Sequence, residues 1–451
     1  MLNFETRTGP DLGAAAPTYP ELEVPAWYRD AKLGFFVHWG LYSVPAWGTP
    51  PGSVPVPIED AYTHHQYAEW YANTVRIPGS PTRRFHEEEY GVGVSYEDLA
   101  DLWTVDGFDA STLVGELVAA GGRYVVPTTK HHDGFCLWGT ATTPFNALRR
   151  GPRRDLIAEI AEATAAAGAR LGLYFSGAHD WHVADHPPIE SDTDLFRYRR
   201  NDGSFARYAA AQLRELVERF RPAVLWNDID WPDAGKTDGP DGLAALLREY
   251  LAAVPDGVVN DRWGVPAHGF LTREYSHVPE TMAVPWEATR GLGWSFGHNR
   301  NEGPEQTVSE RELIHLLVDV VSKNGNLLLN VGPRADGSLP ELQRERLRAL
   351  GRWMAGNGEA VYGTRPWRRH GDGAETAYTR RDDDLYVHVL DPARTEITLA
   401  ADLVASGGSL PEGARWLGAG PATGGAVVDV PVGLRDTVAA VLHLPGAAGR
   451  S

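Results

Sequence analysis

The decapeptide Ala223-Val224-Leu225-Trp226-Asn227-Asp228-Ile229-Asp230-Trp231-Pro232 carries the most chemically suggestive pattern in the chain. An apolar run that reads as a buried strand stops at Asp228, with Asp230 two residues on and Trp226 and Trp231 to either side. A parallel barrel presents reactive groups at its carboxyl-terminal rim in this way, and indoles beside them offer flat apolar surfaces. An Asp at this point either does chemistry or caps the helix that follows a barrel strand. The local residues leave both readings open.

Other apolar runs end in the same manner. They give Val37-His38-Trp39-Gly40, Lys130-His131-His132-Asp133-Gly134, Tyr174-Phe175-Ser176 and Asn260-Asp261-Arg262-Trp263. One such histidine is ordinarily a packed, hydrogen-bonded side chain. Several strands ending so on one face make a site. Adjacent histidines beside Asp133 could instead ligate a metal, as in barrel hydrolases. On an extended strand, however, His131 and His132 point to opposite faces, so both would reach one ion only through a bulge. Neutral imidazoles bonding to sugar hydroxyls need no such convergence. A serine-centred elbow, a phosphate-cradling glycine loop and a cysteine nucleophile are set aside. The one cysteine, Cys136, lies just past the histidine strand and reads as buried packing.

These residues need a scaffold, and 451 residues, 43% of them hydrophobic and 23% charged, suffice for a large core and a second domain. From about residue 30 to 335, apolar segments alternate with helical patterns, as in successive parallel βα units. Strands are expected at 33–40, 123–130, 170–176, 223–228, 257–262 and 326–332, with irregular members between 262 and 326. Leu113, Val114, Leu117 and Val118 recur at helical spacing, as do Ile157, Ile160 and Ala161; Ser309 and Glu312 suit a capping box. The Pro- and Gly-rich segment 45–85 is too long for a simple connection and should fold over the rim. After Trp367 short alternating runs such as Leu385–Leu390 indicate antiparallel sheet. The expected architecture is α/β: a (β/α)8-like, TIM-type barrel over 1–365, then a small antiparallel β-sandwich over 366–451.

The net charge of −18 argues against a nucleic-acid or anionic-membrane partner. No apolar stretch approaches the roughly 18 residues of a membrane span. The opening Met1–Arg7 lacks the layout of a signal peptide, and a single cysteine forms no internal disulfide, so a soluble, cytoplasmic protein is expected. A homo-oligomer is compatible with the sequence.

Taken together, Trp27-Tyr28, Lys32–Gly40, Glu69-Trp70-Tyr71, Lys130–Phe135, Leu225–Asp228 and Ser295-Phe296-Gly297, in that order, resemble the α-L-fucosidases of glycoside hydrolase family 29. The likeness spans about residues 25 to 365; the C-terminal region matches in expected architecture alone. It implies a retaining exo-glycosidase acting on a fucosylated oligosaccharide or glycoconjugate without metal or organic cofactor. By the resemblance Asp228 is the nucleophile, with Asp230 as its local rival, and Glu274 is the acid/base, with Glu287 and then Glu69 as competitors. His38, Glu69, Trp70, His131, His132, Tyr174, Trp226 and Arg262 would bind the sugar or position the nucleophile, and Phe296 would contact its methyl group. The rivals are an exo-glycosidase for a related sugar on the same scaffold, a metal-dependent barrel hydrolase, and a noncatalytic sugar-binding protein.

Overall fold

The computed structural model describes residues 17–50, 57–404 and 408–449. Met1–Arg7 and positions 51–56 of the rim segment lie outside the described residues.

Eight parallel strands form one curled sheet: β1 (Leu33–Val37), β2 (Tyr124–Lys130), β3 (Arg170–Ser176), β4 (Val224–Asp228), β5 (Val258–Val259), β6 (Leu271–Glu274), β7 (Trp286–Gly291) and β8 (Gly325–Val331). Their order is β5-β4-β3-β2-β1-β8-β7-β6, so the barrel's seam lies between β5 and β6. β1, β2, β4 and β8 are buried along their whole length, as strands covered on both faces must be. Odd positions such as Phe35, Val125, Leu173 and Leu225 join the outer core against the helices, while Phe36, Tyr124, Tyr174, Trp226 and Leu328 fill the lumen. The period of two along each strand produces this division. Gly34 leaves room for the Tyr124 ring, since a Cβ there would stand 2.3 Å from it.

All six expected strands are present, but two are shorter. The first ends at Val37, and the fifth keeps only Val258 and Val259, because Asn260, Asp261 and Arg262 leave the ladder and bond through their side chains. Asn260 Oδ1 accepts from Asn227 N–H (3.0 Å) and its Nδ2 donates to Asn227 O (2.8 Å), extending the contact with β4. Asp261 accepts from the Thr272 N–H and hydroxyl on β6. The seam is thus stitched by side chains. The irregular stretch holds the two remaining members, β6 and β7. Helix Glu310–Ser322 has the expected capping box, and Asn324 (φ 74°) turns the chain into β8.

The C-terminal strands are β9 (Arg365–Pro366), β10 (Thr376–Arg381), β11 (Asp384–Val389), β12 (Glu396–Thr398), β13 (Arg415–Trp416), β14 (Gly420–Pro421), β15 (Val427–Asp429) and β16 (Ala440–Leu444). A six-stranded antiparallel sheet and the β12–β15 pair enclose a common core that includes Trp367, Leu385, Val387, Ile397, Trp416, Val428 and Leu442. This is the expected sandwich. Ala377, Tyr386 and Val441 on the other face join the barrel's outer core, and Trp353 of helix Glu341–Asn357 donates to Ala439 O (2.9 Å). Among the described residues, no helix is long and apolar enough to cross a membrane.

Candidate active site

Asp228 is the last residue of β4, at the carboxyl end of the barrel. Tyr174 donates to its Oδ2 (2.8 Å), while Arg262 Nη1 (2.9 Å) and the Ile229 N–H (3.0 Å) donate to its Oδ1. Directly after it the backbone turns through Ile229 (φ 45°) and Asp230 (φ 79°). A β-branched residue rarely occupies this left-handed region, and such strain persists where surrounding contacts enforce it. Here Asp230 is clamped by Arg199 (2.7 Å) and Lys236 (2.7 Å), both largely buried. Asp230 therefore holds the turn and faces away from the pocket that Asp228 enters.

Arg262 links two carboxylates. Its Nη1 meets Asp228, its Nη2 donates to Glu274 Oε2 (2.7 Å), its Nε donates to Thr272 Oγ1 (3.1 Å), and its guanidinium lies 4.8 Å over the Trp226 ring. Glu274 ends β6 and stands at the rim. Burial raises its pKa above the usual carboxylate value; Arg262 opposes that and the charge of Asp228 adds to it.

Glu287 occupies a different level. It is the second residue of β7 and pairs in register with Thr272, whereas Glu274 pairs with Thr289. Two residues of strand place Glu274 about 7 Å closer to the carboxyl rim. Glu287 is fully buried in the lumen, accepting from Tyr28 (2.7 Å), Tyr124 (2.6 Å) and Trp226 Nε1 (3.0 Å). Burial pushes its pKa up to about 7 against those three donors. It forms a floor beneath Trp226 and has no room for a substrate.

Three histidines form one wall. His38 pairs with Asn330 Oδ1 (2.7 Å), and Asn330 Nδ2 donates to Phe296 O (2.6 Å), so the His38 proton sits on Nδ1 and Nε2 is left as an acceptor. The Ser176 hydroxyl donates to His179 O, so His132 Nδ1–H donates to Ser176 Oγ (2.7 Å). Nε2 of His132 is then a bare acceptor 3.6 Å from Asp228 Oδ2. Burial lowers the His38 pKa to about 4 and holds His131 and His132 well below the usual imidazole value; neighbouring imidazoles add to the effect on the latter two, and Lys130 and Arg262 add to it on His132. All three are neutral near pH 7.

The expectation that His131 and His132 diverge is overturned. The strand ends at Lys130 after a register shift against β3, and the turn that follows brings the two rings to 4.3 Å. Alternation applies only while the chain stays extended. Even so, among the described residues no three His, Cys, Asp or Glu side chains are grouped to hold an ion.

Aromatic rings complete the enclosure. Tyr174 stacks on His131 (5.5 Å, 6°) and on Trp226 (5.7 Å, 19°); Trp70 stands edge-on to His132 (5.8 Å); Phe296 packs beside His38 (4.9 Å). Glu69 works from behind, accepting from Ser295 Oγ (3.0 Å), Phe296 N–H (3.3 Å) and Gly297 N–H (2.8 Å), and burial lifts its pKa to about 7. It fixes the loop that carries Phe296. All eleven residues expected at the site are thus gathered at one end of the barrel.

Gly293-Trp294-Ser295-Phe296-Gly297 does have the Gly-x-Ser-x-Gly spacing that was set aside. Its serine is no nucleophile: Ser295 Oγ donates to Glu69 and accepts from Ala68 N–H (2.9 Å), on a loop rather than a strand-to-helix elbow. Cys136 is buried and free, as expected. Sequence reasoning placed Ser176 at a strand end but missed its part in setting the His132 tautomer, and missed Asn330, which sets that of His38, and Tyr67 and Tyr275, which face Phe296 (6.0 and 5.5 Å). Asn330, on β8, carries the same strand-end signal as the histidines and was within reach of that rule.

Comparison with known proteins agrees with this geometry. The profile of the family described as alpha-L-fucosidase matches residues 14–359. The tissue alpha-L-fucosidase of Rattus norvegicus is 34% identical over 394 residues, covering 83% of this chain and 78% of its own. The alpha-L-fucosidase of Dictyostelium discoideum is 30% identical over 364 residues, 78% of this chain and 75% of its own. Among solved structures, Thermotoga maritima alpha-fucosidase in complex with fucose superposes with a TM-score of 0.83 at 42% identity, covering 94% of this chain and 97% of that one. With a carboxylate-tipped barrel, an enclosure of neutral imidazoles and aromatic rings, and these likenesses, the chain belongs to the alpha-L-fucosidase family of glycoside hydrolases.

Proposed function

We propose that this protein is a retaining exo-α-L-fucosidase in which Asp228 is the nucleophile and Glu274 the acid/base. The observation that carries this reading is Arg262, whose one guanidinium holds both carboxyl groups at the rim. Retention requires two carboxyl groups close enough to serve one anomeric carbon, about 5–5.5 Å apart.

In the first step Glu274 gives its proton to the glycosidic oxygen while Asp228 attacks the anomeric carbon. The bond to the leaving oxygen breaks, and a fucosyl ester forms on Asp228. Glu274 has then become a carboxylate just as Asp228 loses its charge, so Arg262 faces one negative charge before and after. The change also serves the second step. The Asp228 charge contributes to the raised pKa of Glu274, so its neutralisation lowers that pKa. Glu274 is an acid while Asp228 is free, and becomes a better carboxylate base for taking a proton from water once Asp228 is esterified.

The wall chemistry suits a neutral deoxy sugar. His38 and His132 offer imidazole acceptors to hydroxyl protons. Phe296 gives the 6-methyl an apolar neighbour. Solved Thermotoga maritima relatives carry fucose and a mechanism based inhibitor, which supports both a fucose pocket and covalent chemistry.

The test is trapping with 2-deoxy-2-fluoro-fucosyl fluoride followed by peptide mass mapping. The label is expected on Asp228. A label on another residue rejects the nucleophile, and first-formed β-fucose by NMR rejects retention.

A further inference from the structure

The loop after β7 has a fixed backbone and one free side chain. Gly291 N–H donates to the Tyr275 hydroxyl (2.9 Å), which itself points at the carbonyls of Trp294 (2.9 Å) and Gly293 (3.1 Å). Ser295 N–H donates to Glu302 Oε1 (2.6 Å), while Phe296 and Gly297 donate to Glu69. At Gly293 a Cβ would lie 2.0 Å from Glu302 Oε2, so a side chain there would displace the carboxylate that holds Ser295 N–H. Against this, Trp294 is 41% exposed and is the one aromatic among the large exposed apolar side chains of the described residues. Among those residues, neither its ring nor its indole N–H has a partner.

Its place on the rim gives that ring a use. Trp294 lies two residues before Phe296, and its carbonyl is bonded to Tyr275, the residue after Glu274. A leaving oxygen must come within hydrogen-bond reach of the group that protonates it. The leaving group therefore departs over the Glu274–Tyr275 side of the pocket, where Trp294 stands. We propose that Trp294 is the platform on which the first ring of the leaving group stacks, so that the preferred substrates are fucosides of a pyranose or aryl group. The apolar face of such a ring covers the indole, and a ring hydroxyl can accept from its N–H. Because the loop backbone is already pinned, binding orders little more than one side chain.

The inference rests on Glu274 being the acid, and the experiment separates the two. Trp294→Ala and Trp294→Phe are compared with the parent enzyme on a fucosyl-α-linked disaccharide, 4-nitrophenyl α-L-fucoside and α-L-fucosyl fluoride, whose leaving group has no ring. Trp294→Ala is expected to lower kcat/KM about three- to tenfold on the first two and to leave the fluoride within about twofold, as loss of one ring contact implies. Trp294→Phe should recover most of the loss. Equal loss on all three substrates would make Trp294 a support for Phe296, and no loss on any would leave it without a role; either overturns the proposal. Glu274→Ala run alongside tests the acid itself: losing the disaccharide while sparing the fluoride upholds it, and uniform loss removes the premise whatever Trp294 does.

Discussion

Arg262 meets Asp228 and Glu274 through different nitrogens, and the two carboxylates differ in what their loss should do. Asp228→Ala is expected to keep the fold, because Tyr174 and Arg262 retain Trp226 and Glu274 as neighbours, while kcat falls at least about a thousandfold. Azide should restore part of the turnover and give the inverted glycosyl azide; near-normal activity without azide would reject the assignment. Glu274→Ala should show a dependence on the leaving group. Loss of about a hundredfold or more is expected for poor leaving groups and a far smaller loss for activated aryl fucosides. Equal small losses on both would move the role away from Glu274. Glu287 is not the alternative that its sequence position suggests, since three donors already occupy its carboxylate.

β5 is two residues long, and the seam depends on the side chains that follow it. Asn260 bonds both backbone groups of Asn227, the residue before Asp228. Asn260→Ala leaves a buried N–H and a buried carbonyl without those partners, at a cost of about 2 kcal/mol. Thermal unfolding should register it, and kcat should fall as the tip of β4 loosens. Unchanged kcat with lowered stability would confine Asn260 to scaffolding. This is also where sequence reading reaches its limit: the apolar run before Asn260-Asp261-Arg262 predicts a strand that continues through them, and the ladder stops at Val259. β6 and β7 escaped because Leu271–Glu274 and Trp286–Gly291 are short and carry charged residues, with little of the apolar continuity that revealed β1, β2, β4 and β8.

Across the protein, the buried ionisable groups set a pH dependence of stability. Glu69 and Glu287 are raised from 4.5 to about 7 and Glu302 to about 8, burial being the largest cause in each. Each binds more protons folded than unfolded between those values, so stability falls as pH rises through that interval. His38, His65 and His179 are lowered from 6.5 to between about 3 and about 4, again by burial first, so they bind fewer protons folded, and stability from them rises with pH up to 6.5. The two trends oppose each other below pH 6.5. Above about pH 7 Lys32, whose pKa burial lowers from 10.5 to about 7, also binds fewer protons folded than unfolded, so its contribution rises with pH and opposes the carboxyl trend. Glu302→Gln, which keeps an acceptor for Ser295 N–H, removes one falling contribution, so its melting temperature relative to the parent should rise from pH 6.5 to 8.5; a difference that stays constant or falls over that range would contradict the assignment.

The sequence by itself determined the repeating βα pattern, the antiparallel module after it, and the residue types at each strand end. These follow from local periodicity and from where apolar runs stop. Tertiary structure decided which of those groups meet. The choice between Glu274 and Glu287 depends on height along β6 and β7, which only pairing with neighbouring strands fixes. Convergence of His131 with His132 came from a turn directly after the strand, which alternation does not announce. The meeting of Asp228 with Glu274 needed a guanidinium released by a strand that ends early, because its own side chains replace the backbone ladder.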